Sequence, residues 1–147
     1  MKAQDKKNNS YFGGKNGNGT YQNIINEIPQ CKIYVEPMVG GGGILKNLNL
    51  PEITVINDMD SAVIDNYSNV GQGQDIRVYN VDYKIICDIY DSKDTVIYFD
   101  PPYHFETRKS QQKRYFAEWE TKDHIEFLNY VISLKSKIII SHYPFYL

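Results

Sequence analysis

Apolar positions recur along the chain in two alternating periods. Residues 21–28 place Ile24, Ile25 and Ile28 on a helical stripe that Pro29 stops. Residues 32–36, KIYVE, form a short β-favouring run ending at Pro37. A glycine run follows at 40–43, and residues 44–50 then read as a helix closed by Pro51. Residues 53–57, ITVIN, predict a second strand, with a helix after it that reaches Tyr67. Residues 76–81 predict a third strand and 83–90 a short helix. Residues 95–99, TVIYF, are almost wholly apolar, the pattern of a strand buried on both faces. Residues 121–134 predict a helix that Thr121 can cap, with Ile125, Leu128 and Ile132 on one side. Residues 137–141, KIIIS, predict a fifth strand. Strands alternating with helices imply βαβ units and a parallel sheet. Right-handed crossovers then give a doubly wound three-layer α/β sandwich with strand order 3-2-1-4-5.

Composition narrows this picture. The 147 residues are enough for one domain. Residues 1–10 read as a flexible tail and 11–147 as the domain. Hydrophobic residues make up 41% and charged residues 23%, a globular balance rather than a disordered one. No apolar run approaches the ~20 residues of a membrane span, and the polar first ten residues lack the apolar core of a secretory signal. Cys31 and Cys87 stand apart from any CxxC or Cys/His spacing, which fits a reducing cytoplasm and argues against a zinc site. His104 and His124 also lack metal-ligand spacing, so no metal is expected. With a net charge of −2 there is no global basic field, and any nucleic-acid contact must rest on a local patch.

Ligands of open α/β sheets bind beyond the carboxyl ends of the strands. Three strands of this chain end in chemistry. The first ends in Glu36-Pro37-Met38-Val39 and the glycines Gly40 to Gly43. Glycines there let a ligand approach the backbone, although neither GxGxxG nor GK[ST] is present. The second ends in Asn57-Asp58, where an acid can accept hydrogen bonds from ribose hydroxyls or simply cap the next helix. The fourth ends in Asp100-Pro101-Pro102-Tyr103. The prolines remove backbone donors and leave the Asp100 carboxylate and the Pro101 carbonyl as acceptors. Acceptors alone suit an NH2 group, and Tyr103 offers a face for a planar ring. Two acceptors gripping an exocyclic amine favour a pyramidal nitrogen, which frees its lone pair to attack an electrophilic methyl group.

In order, FGGK at 12–15, EPMVGGGG at 36–43, NDMD at 57–60 and DPPY at 100–103 resemble the Dam-like family of S-adenosylmethionine-dependent adenine-N6 DNA methyltransferases. The resemblance continues through Tyr115, Trp119, His124 and IISHY at 139–143, and so runs from Tyr11 to Tyr143. It implies a Rossmann-like methyltransferase fold, S-adenosylmethionine as cofactor, and adenine in DNA as substrate. It also implies a cofactor site made of Tyr11, Gly14, Lys15, Glu36, Pro37, Gly40, Gly41, Gly42, Asp58, Asp82 and Asp100. Tyr11 stands where the family would have tryptophan. Asp82 would lie near the cofactor's adenine amine, its alternative being an ordinary solvated acid; for Lys15 the alternative is a surface lysine. Asp100, Pro101, Pro102 and Tyr103 would be catalytic.

Two departures from the family pattern stand out. The stretch between Asp58 and Asp100 is used up by one strand and one helix, leaving no room for the family's target-recognition domain. The family's two further strands have no counterpart after the fifth. A basic loop partly compensates: Arg108, Lys109, Lys113 and Arg114 follow the DPPY motif, where phosphates flanking a flipped base would lie. Besides a DNA methyltransferase, the pattern accommodates a catalytically incomplete subunit that needs a partner, or the same chemistry on RNA. The fifth strand should form an edge with one face uncovered, inviting self-association or a partner chain, with residues 143–147 packing into that interface.

Overall fold

The structure, a computed structural model, describes residues 19–102 and 119–142. Helix α1 covers Thr20–Glu27, strand β1 Ile33–Glu36, β2 Ile53–Asn57, α2 Ser61–Asp65, β3 Asp75–Tyr79, α3 Tyr83–Tyr90, β4 Thr95–Phe99, α4 Thr121–Val131 and β5 Lys137–Ile140. The five strands make one sheet in the order β3-β2-β1-β4-β5. Every neighbouring pair is parallel. The architecture is thus that of a Rossmann-like α/β sheet, as the alternating periods predict.

Alternation along the strands divides the core between the two faces. Val35, Val55, Ile97 and Phe99 point to one face and pack with Ile86, Cys87 and Tyr90 of α3 and Phe127 and Val131 of α4. Tyr34, Val96 and Tyr98 point to the other, where Tyr21, Ile24 and Ile25 of α1 cover them. On that second face Ile56 meets Val39, Leu45, Val63 and Tyr67. Each such apolar side chain removed from water contributes about 1.5–3 kcal/mol. β4 is buried at all five residues, as its apolar run demands. No helix among the described residues is long and apolar enough to cross a membrane.

Five local expectations are corrected. Residues 44–50 form turns rather than a helix, because the glycine turn before them occupies the first turn's geometry and Asn47 spends its amide on the Gly43 carbonyl at 2.8 Å. The helix after β2 is a single short stretch ending at Asp65, and Asp60 rather than Asp58 caps it by accepting from Ala62 N at 2.9 Å. Helix α4 begins behind Glu120, whose N–H donates to Asp123 at 2.7 Å, so Thr121 is its first helical residue and not its cap. β5 lies at the sheet edge as expected, but neither of its faces is bare. Ile138 and Ile140 pack on the α3/α4 cluster and Ile139 on the α1 cluster. The apolar stripe read along α4 does not face the core: Ile125, Leu128 and Ile132 are exposed, as are Ile85 and Ile89 of α3, while α4 buries His124, Phe127 and Val131. Residues 143–147, expected to pack into an interface at the β5 edge, lie outside the described residues.

Candidate active site

All five strands run the same way, so their carboxyl ends share one rim. The chain leaves β1 toward β2 on one side and reaches β4 on the other, so the β1/β4 seam is the point where the strand order reverses, where open α/β sheets bind their ligands. The glycine turn rises from β1, and the Asp100-Pro101-Pro102 segment rises from β4 beside it. The rim thus brings Glu36, Pro37, Gly40, Gly41, Gly42, Asp58, Asp82, Asp100, Pro101 and Pro102 to one end of the sheet.

The glycine turn is held from three directions. Val39 N donates to the Asn57 carbonyl at 2.9 Å, Gly40 N to Asp58 Oδ2 at 3.0 Å, and Tyr67 Oη to the Gly40 carbonyl at 2.7 Å. Gly40 and Gly42 have φ of 50° and 67°, a region that side chains rarely adopt. Gly42 is constrained twice, because a Cβ there would come within 2.5 Å of Tyr67 Oη. Gly42→Ala should therefore lower stability by about 1–3 kcal/mol in thermal melts, through both φ and the clash. Adding Tyr67→Phe should restore part of that loss; a single variant as stable as the parent would contradict this account.

Asp58 acts as the strut between the turn and β2. Its two oxygens accept from Gly40 N and Asp60 N, both at 3.0 Å. A carboxylate offers about four lone-pair directions, so acceptor capacity is left for a ligand's hydroxyls. Burial pushes the Asp58 carboxyl above its ordinary value, while the N–H groups of Asp60 and Gly40 pull it back.

Asn57 escaped the sequence reading as a functional residue, and it organises the rim. It is 1% exposed. Its Nδ2 donates to the carbonyls of Pro37 at 3.0 Å and Val81 at 2.9 Å, and its Oδ1 accepts from Val81 N at 3.0 Å. One amide thereby ties the loops after β1 and β3 to the end of β2. Asn80 adds a second tie, donating to the carbonyls of Asp58 and Met59 at 2.8 and 3.1 Å. The available signal was an Asn ending an otherwise apolar strand. Asp82 is exposed and caps α3, accepting from Lys84 N at 2.9 Å. The cap is a structural role that the sequence reading did not assign to it.

At the seam itself stands Glu36. It is 2% exposed, and Tyr34 Oη donates to its Oε2 at 3.3 Å. Burial, and then the negative charge of Asp100, push its carboxyl up to about 8; the Tyr34 hydrogen bond opposes this. Tyr34 itself is held well above the ordinary phenol range by burial and by Glu36. Below the DPPY segment, the β4 ladder continues to Ser141, whose N–H donates to the Phe99 carbonyl at 2.9 Å. On the α4 side, His142 meets His124 edge to face at 5.0 Å, and Trp119 meets His124 at 5.2 Å.

Tyr103, Tyr11, Gly14, Lys15, Arg108, Lys109, Lys113 and Arg114 lie outside the described residues. Among the described residues, no group of three or more His, Cys, Asp or Glu could hold a metal ion. No family model matches the chain, and no curated protein matches it.

A turn without side chains offers a ligand close backbone approach, and Asp58 keeps acceptor capacity for hydroxyl donors.

Proposed function

We propose that the chain transfers a methyl group from S-adenosylmethionine to the N6 amine of adenine in DNA. The observation that supports this best is the adjacency, across the β1/β4 seam, of the glycine turn and the Asp100-Pro101-Pro102 segment. Bound S-adenosylmethionine would supply a methyl group made electrophilic by its sulfonium. Gly40, Gly41 and Gly42 admit the ligand's tail, with Pro37 setting the turn's entry. Asp58 accepts from the ribose hydroxyls. The Asp100 carboxylate and the Pro101 carbonyl accept the two N–H bonds of the amine and orient its lone pair. Pro102 keeps the segment free of a competing donor. Tyr103 stacks on the base, and Arg108, Lys109, Lys113 and Arg114 neutralise neighbouring phosphates. By the resemblance, Tyr11, Gly14 and Lys15 would hold the cofactor's methionine end and Asp82 its adenine end. The free Cys31 and Cys87 support a cytoplasmic setting.

Calorimetry tests the cofactor half of this reading. The chain should bind S-adenosylmethionine at roughly micromolar Kd. Asp58→Ala should weaken binding by about 1–3 kcal/mol, through the lost ribose hydrogen bonds and the loosened turn. Equal affinities for the two proteins would remove Asp58 from the site. Labelled-methyl transfer to DNA, RNA and free adenosine then separates the substrates.

A second reading, a subunit that acts only with a partner chain, draws support from the open β5 edge of the sheet and from the exposed Ile125, Leu128 and Ile132. The two differ in whether the chain alone transfers methyl groups.

A further inference from the structure

Tyr67 follows α2 and is 4% exposed. It belongs to one apolar cluster with Val39 and Leu45, which flank the glycine turn in the chain, and with Ile56 and Val63. Its hydroxyl reaches the turn itself and donates to the Gly40 carbonyl at 2.7 Å. Gly40 is thus held by both of its polar groups, since its N–H donates to Asp58 Oδ2 at 3.0 Å. In a trans peptide the C=O of one residue and the N–H of the next point in opposite directions, and no described peptide is cis. The Gly40 carbonyl points inward to a buried tyrosine, so the Gly41 N–H points outward. The next peptide is held the other way round. Gly42 N donates to the Val39 carbonyl at 2.9 Å, and the Gly41 carbonyl accepts from the exposed Lys46 Nζ at 2.7 Å. Among the described residues no acceptor receives the Gly41 N–H, and Gly41 is only half-buried.

On the basis of the proposed cofactor reading, we propose that Tyr67 is a positioning residue: its hydroxyl fixes the Gly40–Gly41 peptide so that the Gly41 N–H faces the tail of the bound ligand. The tail of S-adenosylmethionine carries an ammonium, which donates, and a carboxylate, which accepts. An N–H aimed at that tail therefore takes a carboxylate oxygen, in a charge-assisted hydrogen bond. Without the hydroxyl the peptide is free to turn, because the glycine on each side of it admits either orientation. A donor fixed before the ligand arrives costs no ordering when it binds. The carboxylate takes no part in methyl transfer, so the effect of Tyr67 falls on affinity and leaves the transfer step alone.

Tyr67→Phe tests this, because it removes the hydroxyl and keeps the ring in its apolar cluster. In calorimetry on the full chain the variant should bind S-adenosylmethionine about five- to tenfold more weakly than the parent. The KM for the cofactor should rise by a similar factor, with kcat unchanged. Methylthioadenosine keeps the nucleoside and lacks the carboxylate, and it should bind both proteins equally. In amide spectra of the nitrogen-labelled chain, the Gly41 resonance should move downfield on adding S-adenosylmethionine and stay in place on adding methylthioadenosine. A variant that melts lower but binds the cofactor as the parent does would overturn the positioning role, make Tyr67 a packing residue and leave the cofactor reading intact. Equal losses for the two ligands, or a Gly41 resonance that ignores both, would overturn it as well. Failure of the parent to bind S-adenosylmethionine would overturn the cofactor reading and this inference with it.

Discussion

Replacing Asp100 by Ala should reduce methyl transfer by roughly 100- to 1,000-fold, the scale on which a preorganised hydrogen-bonding group at a reacting centre acts. Cofactor affinity should change far less, because in the proposed methyl transfer the carboxylate's main task is the amine. The argument rests on position. β4 is buried along its length, so Asp100 leaves a well-packed strand at the seam. The two prolines after it hold the backbone in an extended form. An alanine there leaves one carbonyl to hold two N–H bonds, and the amine is free to stay planar and unreactive. Asp100→Asn keeps one acceptor oxygen and should fall between the two. A kcat for the alanine variant within tenfold of the parent would remove Asp100 from the chemistry.

Asn57→Ala should be among the most damaging substitutions to the fold. The parent side chain makes three hydrogen bonds within 3.0 Å while 1% exposed. Truncation strands the carbonyls of Pro37 and Val81 and the N–H of Val81. Each unsatisfied buried group costs about 1–3 kcal/mol, and with partial relaxation a total of about 3–5 kcal/mol is expected. In a chain of this size that lowers Tm by about 10 °C or more. Asn57→Asp should be no milder, since a carboxylate would face two carbonyls. Asn129→Ala, on the exposed side of α4, should change stability by less than ~0.5 kcal/mol. A melt in which the 57 and 129 variants coincide would refute the role given to Asn57.

The strands were legible because their signals are local. TVIYF and ITVIN are β-branched or aromatic throughout their cores, and each is bounded by residues that end a strand. Strand order followed from chain direction and handedness, which leave few topologies. The turn region was harder. A helix over 44–50 is favoured by its leucines and isoleucine, and the competing influence is three-dimensional. Tyr67, well beyond this segment in sequence, bonds the Gly40 carbonyl, and Lys46 bonds the Gly41 carbonyl at 2.7 Å. The acids show the same limit. Asp58, Asp60 and Asp82 each precede a helix or turn, and sequence spacing does not say which caps and which braces. Only the meeting of three loops assigns Asp60 and Asp82 to helix starts and Asp58 to the glycine turn. Asn57 was hidden for the same reason, because its partners belong to different loops.

The β1/β4 seam has a consequence for how the molecule assembles. The pairing of Val35 with Ile97 joins positions far apart in the chain, with β2, α2, β3 and α3 between them. Closing so long a loop is entropically expensive, so this pairing should form late in folding. Until it does, Glu36 with the glycine turn and Asp100 with its prolines belong to separate, half-built pieces. A ligand that spans the seam thus recognises only the completed sheet and none of its precursors. It would act as a clasp on the whole fold, raising the unfolding temperature in step with its concentration and slowing the separation of the two halves.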